Sequence, residues 1–194
     1  MDVPPATPAG PVARLNARFS AYLVDSVILL AFILVCFVIA GGQLLLASGW
    51  GEGDPSDAAI VAFVAILSAG PLLSWTAFNV ALLRWRGQTA GMYVIGIKVV
   101  GEDAAALTTR RVLIRWFAMH PLLFHPFLLP AWTMLMLVSV DFAFSRFGIV
   151  VAVTVVLLTV VSIVVNPSLM RIDAGRRALH DHLARTLVVH LEQP

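Results

Sequence analysis

The chain has 194 residues, room for one compact unit, of which 60% are apolar and 12% charged; soluble domains average below about half apolar and about a quarter charged. With a mean hydropathy of +0.92 it has too little polar surface to cover a water-facing globule, which argues against a soluble enzyme, a disordered tail and a nucleic-acid-binding domain. The reading is an integral membrane protein with the lipid bilayer as its surroundings; the net charge is only +2, and the lone Cys36 argues against a disulfide framework or a Cys-based zinc site.

Residues 1–17, with Pro4, Pro5, Pro8, Pro11 and Gly10 among small residues, read as a disordered leader. The apolar run over about 19–41 meets the roughly 20 residues needed to cross the hydrocarbon layer. A cleaved signal peptide is the competing reading, although its apolar core is usually about 7–15 residues. A Gly-rich acidic connection, Gly41 to Asp57, leads to a second predicted span over 58–83. That span is expected to bend at Gly70-Pro71, because proline removes a backbone donor.

A basic connection follows from Arg84 to Arg111, then an apolar tract from Val112 to Val165 interrupted by Arg115, Asp141 and Arg146. As helix the tract measures about 80 Å, enough for two spans of about 30 Å each. They are placed over 116–140 and 146–165, with the turn between Asp141 and Arg146. Pro121, Pro126 and Pro130 blur the start of the third span, and 112–122 could instead form an interfacial helix. From Asn166 on the tail is polar and basic, and 191–194 lie beyond the membrane domain of 18–190.

Twelve of the 13 Lys and Arg residues fall before the first span, between the second and third, or after the fourth, leaving only Arg146 opposite. The positive-inside rule then gives an all-α, four-transmembrane-helix bundle with both termini cytoplasmic, multi-pass in the inner (plasma) membrane. Val94 to Val100 and Thr186 to Val189 are β-branched and too short to span as helices. They could pair as a two-stranded element at the cytoplasmic face; an irregular loop and frayed tail are the alternative.

Asp25 is the most informative residue, because a carboxylate inside a span normally faces a bundle interior or a water-filled cavity. Arg18, seven residues earlier, shares its helix face but lies about 10 Å away along the axis. Asp25 is therefore expected to take a basic partner from the cytoplasmic segments, either to fix packing or to serve as a cation or proton site. Ser68, Ser74 and Asn79 read as hydrogen-bonding glue between helices. His120 and His125, five apart, are poorly aligned as ligands on one helix face, and His180-Asp181-His182 reads as polar surface in a basic tail. Gly87-Gln88-Thr89-Ala90-Gly91 lacks the Gly-Lys-Ser/Thr ending of a phosphate loop. No hydrolytic constellation stands out, so no enzyme and no cofactor are expected.

Three segments together resemble the RDD family of small prokaryotic membrane proteins, named for one arginine and two aspartates. They are Arg18-Phe19-Ser20-Ala21-Tyr22-Leu23-Val24-Asp25, Gly87-Gln88-Thr89-Ala90-Gly91-Met92-Tyr93-Val94-Ile95-Gly96-Ile97-Lys98-Val99-Val100, and Arg177 to Val189 with Asp181 and Thr186. The matching positions are Arg18, Asp25 and Asp181, and the resemblance covers about 14–190. Where the family usually continues Gly-Lys-Arg, this chain has Gly91-Met92-Tyr93, so two positive charges are missing. The resemblance implies transport-related roles, with some members linked to sodium or proton exchange. Together with the residue reading it suggests one polar cluster joining Asp25 and Asp181 to Arg18, Arg115 or Arg177. Two functions follow: a small transporter or transporter component for H⁺, Na⁺ or another small solute, or a non-transporting scaffold or accessory subunit. The transporter reading implies an oligomer, since four helices enclose little alone; a homo-oligomer or a membrane partner protein is thus a possible association, and no nucleic acid is expected.

Overall fold

The structure, a computed structural model, describes residues 10–103, 106–120 and 146–191. Its elements are α1 (Leu15–Ala47), α2 (Asp57–Arg86), α3 (Ala90–Ile95), β1 (Ile97–Gly101), α4 (Thr109–Met119), α5 (Arg146–Ile172), α6 (Leu179–Ala184) and β2 (Thr186–His190). The described residues are thus mostly helical and include a small two-stranded sheet. The Asp141 turn, the three prolines after His120, His125 and most of the expected third span lie outside the described residues, as do residues 1–9 and 192–194.

Two of the described helices, α1 and α2, are long and apolar enough to cross a membrane. α1 has 33 residues, about 50 Å of helix. Val27, Leu34 and Val38 on it are each more than 60% exposed, a pattern that water would oppose and acyl chains favour. α2 runs unbroken through Pro71. The Ser68 and Ser74 hydroxyls donate to the Val64 and Gly70 carbonyls at 2.7 Å each. These serines therefore bond within their own helix, a common resort of mid-helix Ser, and the expectation of glue between helices does not apply to those bonds.

The chain divides into two compact units. One includes Ser26–Ala77, where α1 and α2 approach closely at Gly70: a Cβ there would lie 3.0 Å from Cys36 Sγ. Leu29, Ala40 and Trp75 are its best-buried apolar residues.

The other takes the chain up to Asp25, from Phe78 to α4, and from Val156 onward. Its centre is the antiparallel pairing of β1 with β2, Ile97 opposite His190 and Gly101 opposite Thr186, with Ile97, Val99 and Val188 buried. Val12 bridges Val189, and Ala13 N–H donates to the Val188 carbonyl at 2.8 Å. Residues 10–17 are thus not a disordered leader: they edge the sheet and then begin α1. β1 is also shorter than the sequence suggests. Val94 and Ile95 end α3, because the Thr89 side chain caps its start and Gly96, at φ 73°, supplies the left-handed residue that stops it. α4 occupies 109–119, so its last turn claims residues assigned from sequence to the third span.

The unit contains a repeat that the sequence hides. α3, Gly96 and β1 form a six-residue helix, a left-handed residue and a five-residue strand; α6, Arg185 and β2 do the same 89 positions later. Gly87 and Arg176, ahead of the helices, also correspond and also have positive φ, 70° and 49°. Val99 pairs with its own counterpart Val188, so a local two-fold axis passes between them.

Candidate functional site

Asp25 sits on α1 where the N-terminus of α3 comes against it. Its Oδ1 accepts the Gly91 N–H at 2.7 Å and its Oδ2 accepts the Thr89 hydroxyl at 2.6 Å. The Thr89 oxygen in turn accepts the Met92 N–H at 3.2 Å, so one hydroxyl caps α3 and ties it to α1. The approach depends on glycine: a Cβ on Gly91 would run into the Ala21 carbonyl and lie 2.9 Å from Asp25 Cγ. Gln88 completes the motif, donating to the Ile97 carbonyl at 2.9 Å, and Gly87 N–H caps α2 on the Leu83 carbonyl at 3.0 Å. Asp25 therefore departs from expectation: among the described residues its partners are a hydroxyl and a backbone amide, and no arginine pairs with it.

The arginines converge on the other aspartate. Asp181 is fully buried, and Arg18 from α1 and Arg115 from α4 each pair with it, one on either carboxylate oxygen. Oδ2 also accepts the Ala178 N–H at 3.0 Å, capping α6. Arg115 reaches Thr186 Oγ1 as well, at 3.1 Å. α4 aims Arg115 inward because Val112, Arg115 and Trp116 share its buried face. Burial, with the like charge of Arg18 beside it, pulls the Arg115 guanidinium down to about 9, which leaves it charged at neutral pH. Asp181 thus joins α1, α4, α6 and β2 at one point.

His180 is buried next to Asp181, its Nε2 3.8 Å from Oδ1. Desolvation first, then Arg115, Arg18 and His120, hold its pKa well below the ordinary value, so it is neutral at pH 7. His180-Asp181 is accordingly interior, not polar surface as the basic setting suggested. Asn166, which sequence reading passed over, accepts the Leu179 N–H at 2.9 Å and braces α6 from α5.

The remaining sequence candidates lie elsewhere. Arg177 does not join either aspartate at the centre; it pairs with Asp173 at 3.0 Å and Glu102 at 2.5 Å near the surface. That contact holds the Asp173 carboxyl down at about 2. Asn79 is buried and engaged on α2. His120 ends α4 and packs on Trp116, ring centroids 4.3 Å apart. The expected single cluster is therefore two sites, Asp25–Thr89–Gly91 and Arg18–Asp181–Arg115, with Arg18 pairing with the later aspartate and not its helix neighbour.

Two long apolar helices with open apolar faces, and a small helix–strand unit pinned to the first of them by two carboxylates, mark an integral membrane protein. The RDD family profile matches residues 12–185, and the chain belongs to that family. No curated protein and no solved structure matches it.

Proposed function

We propose that the protein is a non-enzymatic membrane scaffold or accessory subunit, in which Asp25 and Asp181 clamp the helix–strand unit to α1 and present it to a second copy or a membrane partner. The observation that carries this reading is that each carboxylate oxygen at both aspartates already has a protein donor. We place the protein in the plasma membrane with four crossings and both termini cytoplasmic. The sheet supports this count. Strands that pair lie on one side of a bilayer, so the chain between β1 and β2 crosses an even number of times. Val12, on the same sheet, asks the same of the segment holding α1 and α2. The test is thermal stability in detergent: Asp25→Asn and Asp181→Asn lower it while any flux stays unchanged. Lost flux at normal stability contradicts the scaffold.

One feature favours a second reading. Asp25 has neutral donors and no ion pair among the described residues, and an uncompensated carboxylate in a span is the kind of group that takes up H⁺ or Na⁺. The transporter reading predicts that proteoliposomes under a pH or sodium gradient show flux that Asp25→Asn abolishes. Equal flux in the two proteins removes Asp25 from any transport mechanism.

A further inference from the structure

The C-terminal end of α2 carries Arg84, Trp85 and Arg86 in sequence, all exposed, Trp85 at 80%. Two contacts gather neighbouring elements around this end. The Arg86 guanidinium lies over the exposed Tyr93 ring of α3, 5.8 Å from its centroid, and Arg84 Nε donates to Thr109 Oγ1 at the start of α4 at 3.2 Å. α4 itself is two-faced: Val112 and Trp116 are buried, while Leu113 and Phe117, one turn apart, are open.

An exposed Trp and Tyr at the end of a membrane-length helix belong at the headgroup level, where one side of each ring is apolar and the other wet. α4, with an apolar stripe beside Arg110 and Arg111, has the make-up of a helix lying in the same plane. At that depth the groups within reach of a guanidinium are lipid phosphates, which its fork of donors suits. Stacking of Arg86 on Tyr93 holds the fork in place before a lipid arrives. Neither arginine is bound to a carboxylate among the described residues, so both charges are free to meet an anion.

We propose that the end of α2, with Tyr93 of α3 and the start of α4, binds anionic phospholipid headgroups: Arg86 beside Tyr93 and Arg84 beside Thr109, two apart and so on different sides of the helix, each meet a lipid phosphate, and Trp85 and Tyr93 lie against the glycerol and upper acyl chain. The proposal rests on the membrane reading and is independent of whether the protein is a scaffold or a transporter.

The test uses the full chain in zwitterionic detergent, titrated with dibrominated phosphatidylglycerol or dibrominated phosphatidylcholine, with tryptophan quenching as readout. The expected result is tighter quenching by the glycerol lipid, shrinking as salt rises and largely absent in Trp85→Phe. Arg84→Gln and Arg86→Gln each weaken it about fivefold, with the choline lipid unaffected. Equal quenching by the two lipids in the wild type overturns the proposal. So does a preference that survives Trp85→Phe intact, which places the lipid elsewhere. Should the glutamine variants fail to fold, these two comparisons decide the matter, since neither alters a charge.

Discussion

Asp181→Asn gives the sharpest measure of the clamp. The substitution is nearly isosteric, so it leaves packing alone and removes one charge. Arg18 and Arg115 then face each other with no counter-ion among the described residues, in a place where Arg115 is 3% exposed and position 181 is not exposed at all. Breaking a buried pair by taking one member away costs roughly 3–5 kcal/mol, because the charge left behind is not resolvated. The asparagine oxygen recovers part of one hydrogen bond only. For a chain of this size about 2–4 °C accompanies each kcal/mol, so the melting temperature in detergent is expected to fall by roughly 6–20 °C. Asp173→Asn is the control, since its partner Arg177 is nearer the surface, where water can take up the charge left behind. Replacing the triad together, with Arg18→Met, Arg115→Met and Asp181→Leu, is expected to recover most of the loss. A shift for Asp181→Asn no larger than that for Asp173→Asn refutes the reasoning.

Three further outcomes follow from the same geometry. His180 is neutral in the fold but takes a proton near pH 6.5 when unfolded, so the unfolded state binds more protons as pH falls; melting temperature should drop below about pH 6.5, and His180→Gln should flatten that slope. Gly91→Ala drives a methyl into the Ala21 carbonyl and forces α3 off α1, with a loss of about 1–3 kcal/mol or more, visible as easier proteolysis around residues 87–96. Thr89→Val removes both the α3 cap and the bond to Asp25, about 1–2 kcal/mol by thermal melting, whereas Thr89→Ser should match the wild type.

Apolar runs announced α1 and α2 because bilayer crossing is a matter of length and composition, and both strands stood out through their β-branched residues. What the sequence concealed was partnership. Asp25 looked as though it required a cation, but its donors are a hydroxyl and a backbone amide, and a backbone N–H leaves no trace in residue identity. Asp181 looked exposed because Arg176, Arg177 and Arg185 surround it in sequence; the fold turns those outward and brings Arg18 and Arg115 in from far along the chain. The helical character of Ala90 to Ile95 was masked by Tyr93, Val94 and Ile95, whose strand preference loses to a cap at each end. The helix–strand repeat was invisible because its two copies share backbone conformation and little else: glycine meets the left-handed positions in one, arginine in the other.

That repeat also sets an order of events at the ribosome. Gly91 follows Asp25 by 66 residues, so the first latch can close once less than half of the chain has been made. The second waits for Asp181, and the edge of β1 stays open until the stretch from Gly101 to Thr186 has been made, on the order of ten seconds at usual synthesis rates. During that interval Asp181, the partner of Arg18 and Arg115, is not yet made, and a nascent chain that stalls there offers quality-control proteases an unpaired strand to seize.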